Sequence, residues 1–443
     1  MESLRDAKAN IAAANKNVIK FLNSFIDDKS FVETDAFMSS ETDLGDALGE
    51  GVVSGFARVG DTNVCVFAVN SAVLKGSIGA LNAKKIVRAI NNAVRMDKPL
   101  IAVWDTSGAR FSEGIECLEG YGSILRAYTV AYGEVPIISI IKGNNFGISS
   151  YIAGISDFVV GYSGSVVATS SPLVLGSDSK AIATSCVKSG LITNVVDSDK
   201  ALKETVCKML GVFSGGATSG DDLNRMCKNL KRGVKADDVI KEVFDKNSFL
   251  PVRAEYADSV TTGFATLGDI PVGVVATCGG RLTADACTKI SEFLNVCENA
   301  ETPVVFLVDS VGTERGSDDA KLIREMSNLI YQVNTLDVDI FSVVTGQAIG
   351  GAYTALVSPA EYKIAWDSAE AGALESEAAA RLLFADDIKS AKNKDKAAEK
   401  LAKSYSEENM SALTIAKGGH FDNVIDPNAT RSYLLAALLA HIE

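Results

Sequence analysis

Residues 135–147 read VPIISIIKGNNFG, and residues 338–350 read VDIFSVVTGQAIG. Each is an aliphatic, β-branched run closed by two glycines, Gly143 and Gly147 in the first and Gly346 and Gly350 in the second. Such a run predicts a short buried strand, and the residues after it predict the opening of a helix. Working outward, PLIAVWDTSG at 99–108 is echoed by PVVFLVDSVG at 303–312. Further upstream, GFARVGD at 55–61 returns as GFATLGD at 263–269, and the Ser30-Phe31 neighbourhood returns at Ser248-Phe249. The four landmarks keep their order at a spacing of about 200 residues, far too long for a solenoid repeat and the size of a whole domain. The chain is therefore expected to hold two copies of one fold.

Between the landmarks, short apolar strands alternate with helical patterns, which indicates βαβ units with buried parallel strands and an α/β class. Residues 1–30 read as an amphipathic helix, 52–74 as β-hairpins, 80–98 as a helix stopped by Pro99, and 114–133 as another helix. The stretch 211–237, with GVFSGGATSGDD and a basic KNLKRGVK, reads as the linker. The expected domains are 1–225 and 236–443. The Lys/Glu/Ala-rich segment 385–409 reads as one solvated helix, and a last helix is expected after Pro427.

At 443 residues and 47% hydrophobic, each copy can bury a sizeable core. A net charge of −13 argues against nucleic acid, which needs a basic footprint, but not against an anionic ligand held locally. The charged N-terminus lacks a signal-peptide pattern and no run is long enough to span a membrane, so a cytoplasmic location is expected. Eight scattered cysteines form no Cys-x-x-Cys pair and read as buried, reduced core residues. Only two histidines are present, His420 and His441, which all but removes Ser-His-Asp hydrolysis and His-ligated zinc; no metal is expected.

The chemistry is expected at two strand-to-helix turns, Gly143–Ser149 and Gly346–Ala352. A helix start leaves backbone N–H groups unpaired, and those can stabilise an oxyanion without side-chain chemistry. Glycines that merely allow tight packing are the plainer reading of one such turn; two in duplicate positions favour function. A second pair of loops, Asp105–Arg110 and Asp309–Gly316, follows the preceding strands, where α/β ligand sites lie. Lys75, Lys84 and Lys85 suit either a phosphate-facing surface or a solvated helix face.

Taken together, DTSGARFSEG with LEGYG (105–122), TGFATLGDIPVGVVAT (262–277) and GQAIGGAY (346–353) resemble the carboxyltransferase subunits of biotin-dependent acyl-CoA carboxylases and decarboxylases, of the propionyl-CoA carboxylase β and methylmalonyl-CoA decarboxylase α type. The resemblance runs from near residue 30 to near residue 438. It implies a duplicated crotonase-like (ClpP/crotonase) fold, two β-β-α superhelix domains, with the acyl-CoA thioester on the N-terminal half and carboxybiotin on the C-terminal half. The enolate oxygen would fall to Gly147 and Ile148, and the biotin ureido oxygen to Gly351 and Ala352. Gly108, Ala109, Arg110, Gly312, Gly350 and Tyr353 would line the ligands. Substrate and cofactor would supply acid and base, which suits a chain so poor in histidine.

The resemblance further implies biotin on a separate carrier protein, a biotin carboxylase or membrane decarboxylase subunit as partner, and a homo-oligomer from dimer to hexamer. Four stretches depart from the family pattern. Ile148 stands where a second glycine is usual, Asp309–Gly316 lacks two prolines, 172–190 is shortened, and Leu374-Glu375-Ser376 replaces Met-Gly-Ala. These departures motivate an alternative, a catalytically altered paralogue acting as a scaffold or regulatory subunit. A simple crotonase-type hydratase would need a positioned carboxylate, for which Glu113 is the candidate in the first half.

Overall fold

The computed structural model describes residues 3–42, 45–171, 174, 183–215, 220–316 and 319–441. The shortened segment 172–190 therefore falls mostly outside the described residues. Two compact units divide the chain, Met1–Ser214 and Gly215–Glu443.

The first unit opens on α1 (Leu4–Phe25), started by the Ser3 side chain, which accepts from the Asp6 N–H, and buried through Ile11, Val18, Phe21, Leu22 and Phe25. Strands β1 (Val32–Thr34), β2 (Val52–Val59) and β3 (Thr62–Val69) pair antiparallel. The chain then alternates as read from the sequence: α2 (Ala80–Met96), β4 (Leu100–Thr106), α3 (Ile115–Ala131), β5 (Ile137–Phe146), α4 (Ile148–Gly154) and β6 (Phe158–Tyr162). Strand β7 (Val166–Ala168) pairs with the far end of β5, and β8 (Asn194–Val196) with β6, before α5 (Asp199–Phe213). The eight-stranded sheet runs β1-β2-β3-β4-β5-β6-β8 with β7 beside β5, and every pairing from β3 onward is parallel. Strand β4 is buried on both faces, hence its unbroken apolar run, and Leu100, Ala102 and Trp104 share one core with residues of α2 and α3.

The second unit repeats this. After α6 (Ala236–Val243) come β9 (Leu250–Val252), β10 (Val260–Leu267), β11 (Ile270–Thr277), α7 (Ala284–Asn299), β12 (Val304–Ser310), α8 (Asp319–Thr335), β13 (Ile340–Ile349) and α9 (Gly351–Leu356). Strands β14 (Tyr362–Trp366), β15 (Glu370–Gly372) and β16 (Asn423–Ile425) complete the sheet. Its order is β9-β10-β11-β12-β13-β14-β16 with β15 beside β13, strand for strand the order of the first unit. The duplication is thus one of topology as well as of sequence. A helical insert, α10 (Ser376–Leu383), α11 (Ala385–Ser390), α12 (Lys394–Asn409) and α13 (Ala412–Lys417), separates β15 from β16, and α14 (Thr430–His441) ends the unit.

Three expectations need amending. The stretch 211–237 is not a free linker: residues 211–213 finish α5, and the later part is tied to the second unit. There Arg225 donates to the carbonyls of Glu242 and Phe244 at 2.8 Å each, and the Cys227 N–H donates to Asn428 at 3.1 Å. Such bonds extend the second unit well upstream of residue 236. The segment 385–409 is two helices, and Ala398 and Ala402 of the second are buried. Of the cysteines, Cys278 is exposed and Cys186 and Cys207 half-buried, and none of the eight is in a disulfide.

Candidate active site

Strand β5 ends at a turn centred on Gly147, with φ 74° and ψ −138°, and β13 ends at one centred on Gly350, with φ 53° and ψ −120°. Both conformations disfavour any side chain, which explains the second glycine of each sequence repeat. The first glycine has another cause. A Cβ on Gly143 or Gly346 would collide with the carboxylate of Asp105 or Asp309. Asp105 Oδ1 accepts from the Asn144 N–H at 3.1 Å, and Asp309 Oδ1 from the Gln347 N–H at 2.8 Å. Each aspartate, placed by the end of its strand, thus braces the approach to the next strand's turn.

The N–H groups at these turns are sharply divided. Gly147 donates to the Ala168 carbonyl at 2.9 Å and Gly350 to that of Gly372 at 2.8 Å, so neither glycine keeps a free donor. Among the described residues, the N–H groups of Ile148 and Ser149, and of Gly351 and Ala352, meet no acceptor. The expectation for Gly147 changes accordingly: it shapes the turn while Ile148 carries the donor.

The loops after β4 and β12 lie against these turns. A Cβ on Gly108 (φ 100°) would stand 3.2 Å from the Phe146 carbonyl, and one on Gly312 (φ 105°) 3.4 Å from that of Ile349. Ile78 bridges to Ala109 and Leu282 to Thr313 in matching fashion, with Ile78 donating to Gly108 at 2.9 Å and Leu282 to Gly312 at 2.9 Å. That pattern leaves the N–H groups of Ala109 and Thr313 without acceptors among the described residues. Each unit therefore gathers three unengaged donors: Ala109, Ile148 and Ser149 in the first, Thr313, Gly351 and Ala352 in the second. Such a set suits an oxygen that gains negative charge. Ser149 and Thr313 were missed from the sequence, although aligning the copies residue by residue would have found both.

Ile148 departs from the glycine pattern without obstructing the donors. Its side chain and that of Ala109 pack on the hydrophobic core formed by Tyr121, Ile124, Ile152 and neighbours. Tyr353 is half-buried on α9, its ring edge-on to Phe421 at 6.4 Å, and burial pushes its hydroxyl pKa up.

Arg110 is held inside the first unit. It is 2% exposed, pairs with the fully buried Glu50 at 3.0 Å and with Glu113 at 2.9 Å, and donates to the Ser77 carbonyl at 3.2 Å. These contacts tie its guanidinium into the fold. Glu113 is equally committed, since its Oε2 accepts from the Ala80 N–H at 2.6 Å and so caps α2. A hydratase's carboxylate acid would have to be free, so that reading loses its candidate.

Lys85 fits neither reading offered for it. Fully buried on α2, it donates to the Gly49 carbonyl at 3.2 Å, and burial pushes its pKa down to about 8. Lys289 repeats the position on α7, donating to Tyr256 and Val260 at 2.6 Å each, and is pushed down to about 8 by the same cause. Lys75 and Lys84 are exposed.

Glu375, one of the departures, is not an isolated carboxylate beside the second turn. Its Oε1 accepts from Arg281, and from Arg315 at 3.1 Å.

Residues 12–443 match the carboxyl transferase domain family. The chain belongs to that family. Carboxyl transferase relatives include the propionyl-CoA carboxylase carboxyltransferase subunit of Haloferax mediterranei, 29% identical over 94% of this chain and 88% of the relative. The methylmalonyl-CoA carboxyltransferase 12S subunit of Propionibacterium freudenreichii subsp. shermanii is also 29% identical, over 94% and 87%. The α subunit of the Veillonella parvula methylmalonyl-CoA decarboxylase is 29% identical as well, over 94% and 88%. Among solved structures, transcarboxylase 12S, a hexamer with methylmalonyl-CoA and methylmalonic acid bound, superposes with a TM-score of 0.91 at 26% identity, covering 100% of this chain and 96% of that one. The resemblance read from the sequence and the duplicated crotonase-like fold both stand, and with family membership comes the enzyme class, a biotin-dependent acyl-CoA carboxyltransferase. No helix among the described residues is long and apolar enough to cross a membrane.

Proposed function

We propose that this carboxyl transferase moves a carboxyl group between carboxybiotin, carried on a separate protein, and the α-carbon of a short acyl-CoA of the propionyl/methylmalonyl type. The observation that carries the reading is the duplicate set of unengaged N–H groups, one set per unit, at turns of matching backbone conformation. Donation from Ala109 and Ile148 would hold the thioester oxygen as it becomes an enolate. Thr313, Gly351 and Ala352 would hold the ureido oxygen, whose chemistry their N–H groups fit. Biotin, when bound, supplies the carboxyl group and takes up the α-proton. The chain's own part is then to orient both oxygens and stabilise their charge, with donors that need no reorganisation as it develops. The work would be done in the cytoplasm by a homo-oligomer, with a carrier protein and a biotin carboxylase or membrane decarboxylase subunit as partners.

The scaffold alternative rested on the departures from the family pattern, yet Ile148 keeps its donor and Glu375 is neutralised by two arginines. The test uses proline at the first helical position, which removes one N–H while preserving helix geometry. I148P and G351P are expected to stay folded by circular dichroism and to lose biotin-dependent CO2 release from methylmalonyl-CoA by about 100-fold or more. Wild-type protein that binds neither acyl-CoA nor biotinylated carrier and releases no CO2 would instead establish the scaffold.

A further inference from the structure

We propose that Arg281 and Arg315 form a carboxylate-binding site at the rim of the second donor turn, occupied in this structure by the chain's own Glu375. Both guanidinium groups converge on one oxygen, Oε1 of Glu375. Arg281 is held there by the fold itself, since its Nη1 donates to the carbonyls of Val311 at 3.1 Å and Thr313 at 3.2 Å. Thr313 is the residue whose N–H forms part of the second donor set, so the cation and the donors share one piece of backbone. Glu375 is delivered from the other side: the Gly350 N–H donates to Gly372, and a Cβ on Gly350 would stand 3.2 Å from the Ala373 carbonyl.

The contact is built to open. Side-chain exposure is 28% for Arg281, 32% for Glu375 and 68% for Arg315, and ion pairs this exposed contribute little stability. A guanidinium pair converging on a single carboxylate oxygen would offer an incoming carboxylate the same charge-assisted hydrogen bonds. Glu375 then acts as a resident competitor, and a carboxylate ligand enters as Glu375 swings out, leaving Arg281 in place on its two carbonyls. The choice of ligand class rests on the proposed carboxyl transfer, which would bring a carboxylate to this turn, but the site is testable without that reaction.

The experiment is calorimetric titration of malonate into the full-length protein, with neither acyl-CoA nor biotin present. Replacing Glu375 by Gln keeps the shape and removes the competing charge, so E375Q is expected to bind malonate about fivefold more tightly than wild type. Adding R315M, at an exposed residue the fold does not need, should cancel that gain. Equal malonate affinity in wild type and E375Q, or a gain that survives R315M, would overturn the proposal. Because binding is read directly, an inactive protein that still shows the gain would remove the transfer reading and leave the carboxylate site standing.

Discussion

Asp309 stands in the space that a side chain on Gly346 would need, and from there its Oδ1 accepts the Gln347 N–H at 2.8 Å. The brace exists only because residue 346 has no Cβ, and Asp105 with Gly143 repeats it. Replacing Gly346 by Ala is expected to push the carboxylate aside and shift the turn it supports. Overpacking of this kind costs about 1–3 kcal/mol, and a displacement of about 1 Å in a positioning element lowers turnover by about 100-fold. Thermal melts and CO2 release measured side by side check this; a G346A protein with unchanged melting and unchanged turnover would dismiss the brace.

Arg110 predicts a separation of stability from substrate affinity. Removing the guanidinium strands Glu50, which is fully buried and already has one oxygen without a partner among the described residues. Breaking one side of a buried pair costs about 3–5 kcal/mol. R110M should therefore melt well below wild type, while its acyl-CoA KM at low temperature stays within about twofold, since uniform binding losses appear in KM. A large rise in KM with normal melting would return Arg110 to the ligand.

Acid should weaken the second unit through Asp245. Burial alone would raise this carboxyl, but the N–H groups of Asp269 and Gly268, Thr266, and the fully buried Arg431 at 2.6 Å hold it below its ordinary value. A depressed folded pKa means stability present above the unfolded value near 3.9 and lost as pH falls through the folded value. D245N should be less stable than wild type at pH 7, and the gap should narrow below about pH 4. Urea midpoints across that range decide it; a constant gap contradicts the assignment.

The alkaline side turns on the buried lysines. With Lys289 pushed down to about 8 in the folded chain, the unfolded chain binds the extra proton between that value and about 10.4, so the lysine's contribution rises with pH across that window. Wild type should gain stability over K289M by up to about 3 kcal/mol between pH 8 and 10.4. Parallel curves for the two proteins would show that Lys289 keeps an ordinary pKa.

The repeat told most of the fold in advance. Landmarks such as Asp105/Asp309 and Gly147/Gly350 carry the strand order because each unit must solve the same packing problem, and apolar runs like Leu100–Trp104 can only be buried strands. Side-chain roles were less legible, for they depend on contacts between distant residues. Nothing in the sequence announces that Arg110 meets Glu50 and Ser77, or that Lys85, read as phosphate-facing or solvated, is buried against Gly49. The donor pattern was half legible. A helix start guarantees free N–H groups, but only the β7 and β15 pairings, through Ala168 and Gly372, reveal that Gly147 and Gly350 have none to offer.

The donors at Ala109, Ile148, Ser149, Thr313, Gly351 and Ala352 belong to the main chain, and every residue but proline brings one. Point substitution can therefore rewrite the side chains along both turns and leave their hydrogen-bonding power untouched. Ile148 is a case already in hand. A lineage using such turns can wander far in sequence, retuning pocket shape and partner preference, while the N–H groups proposed to stabilise charge are inherited with the course of the backbone rather than with any particular letter of the sequence.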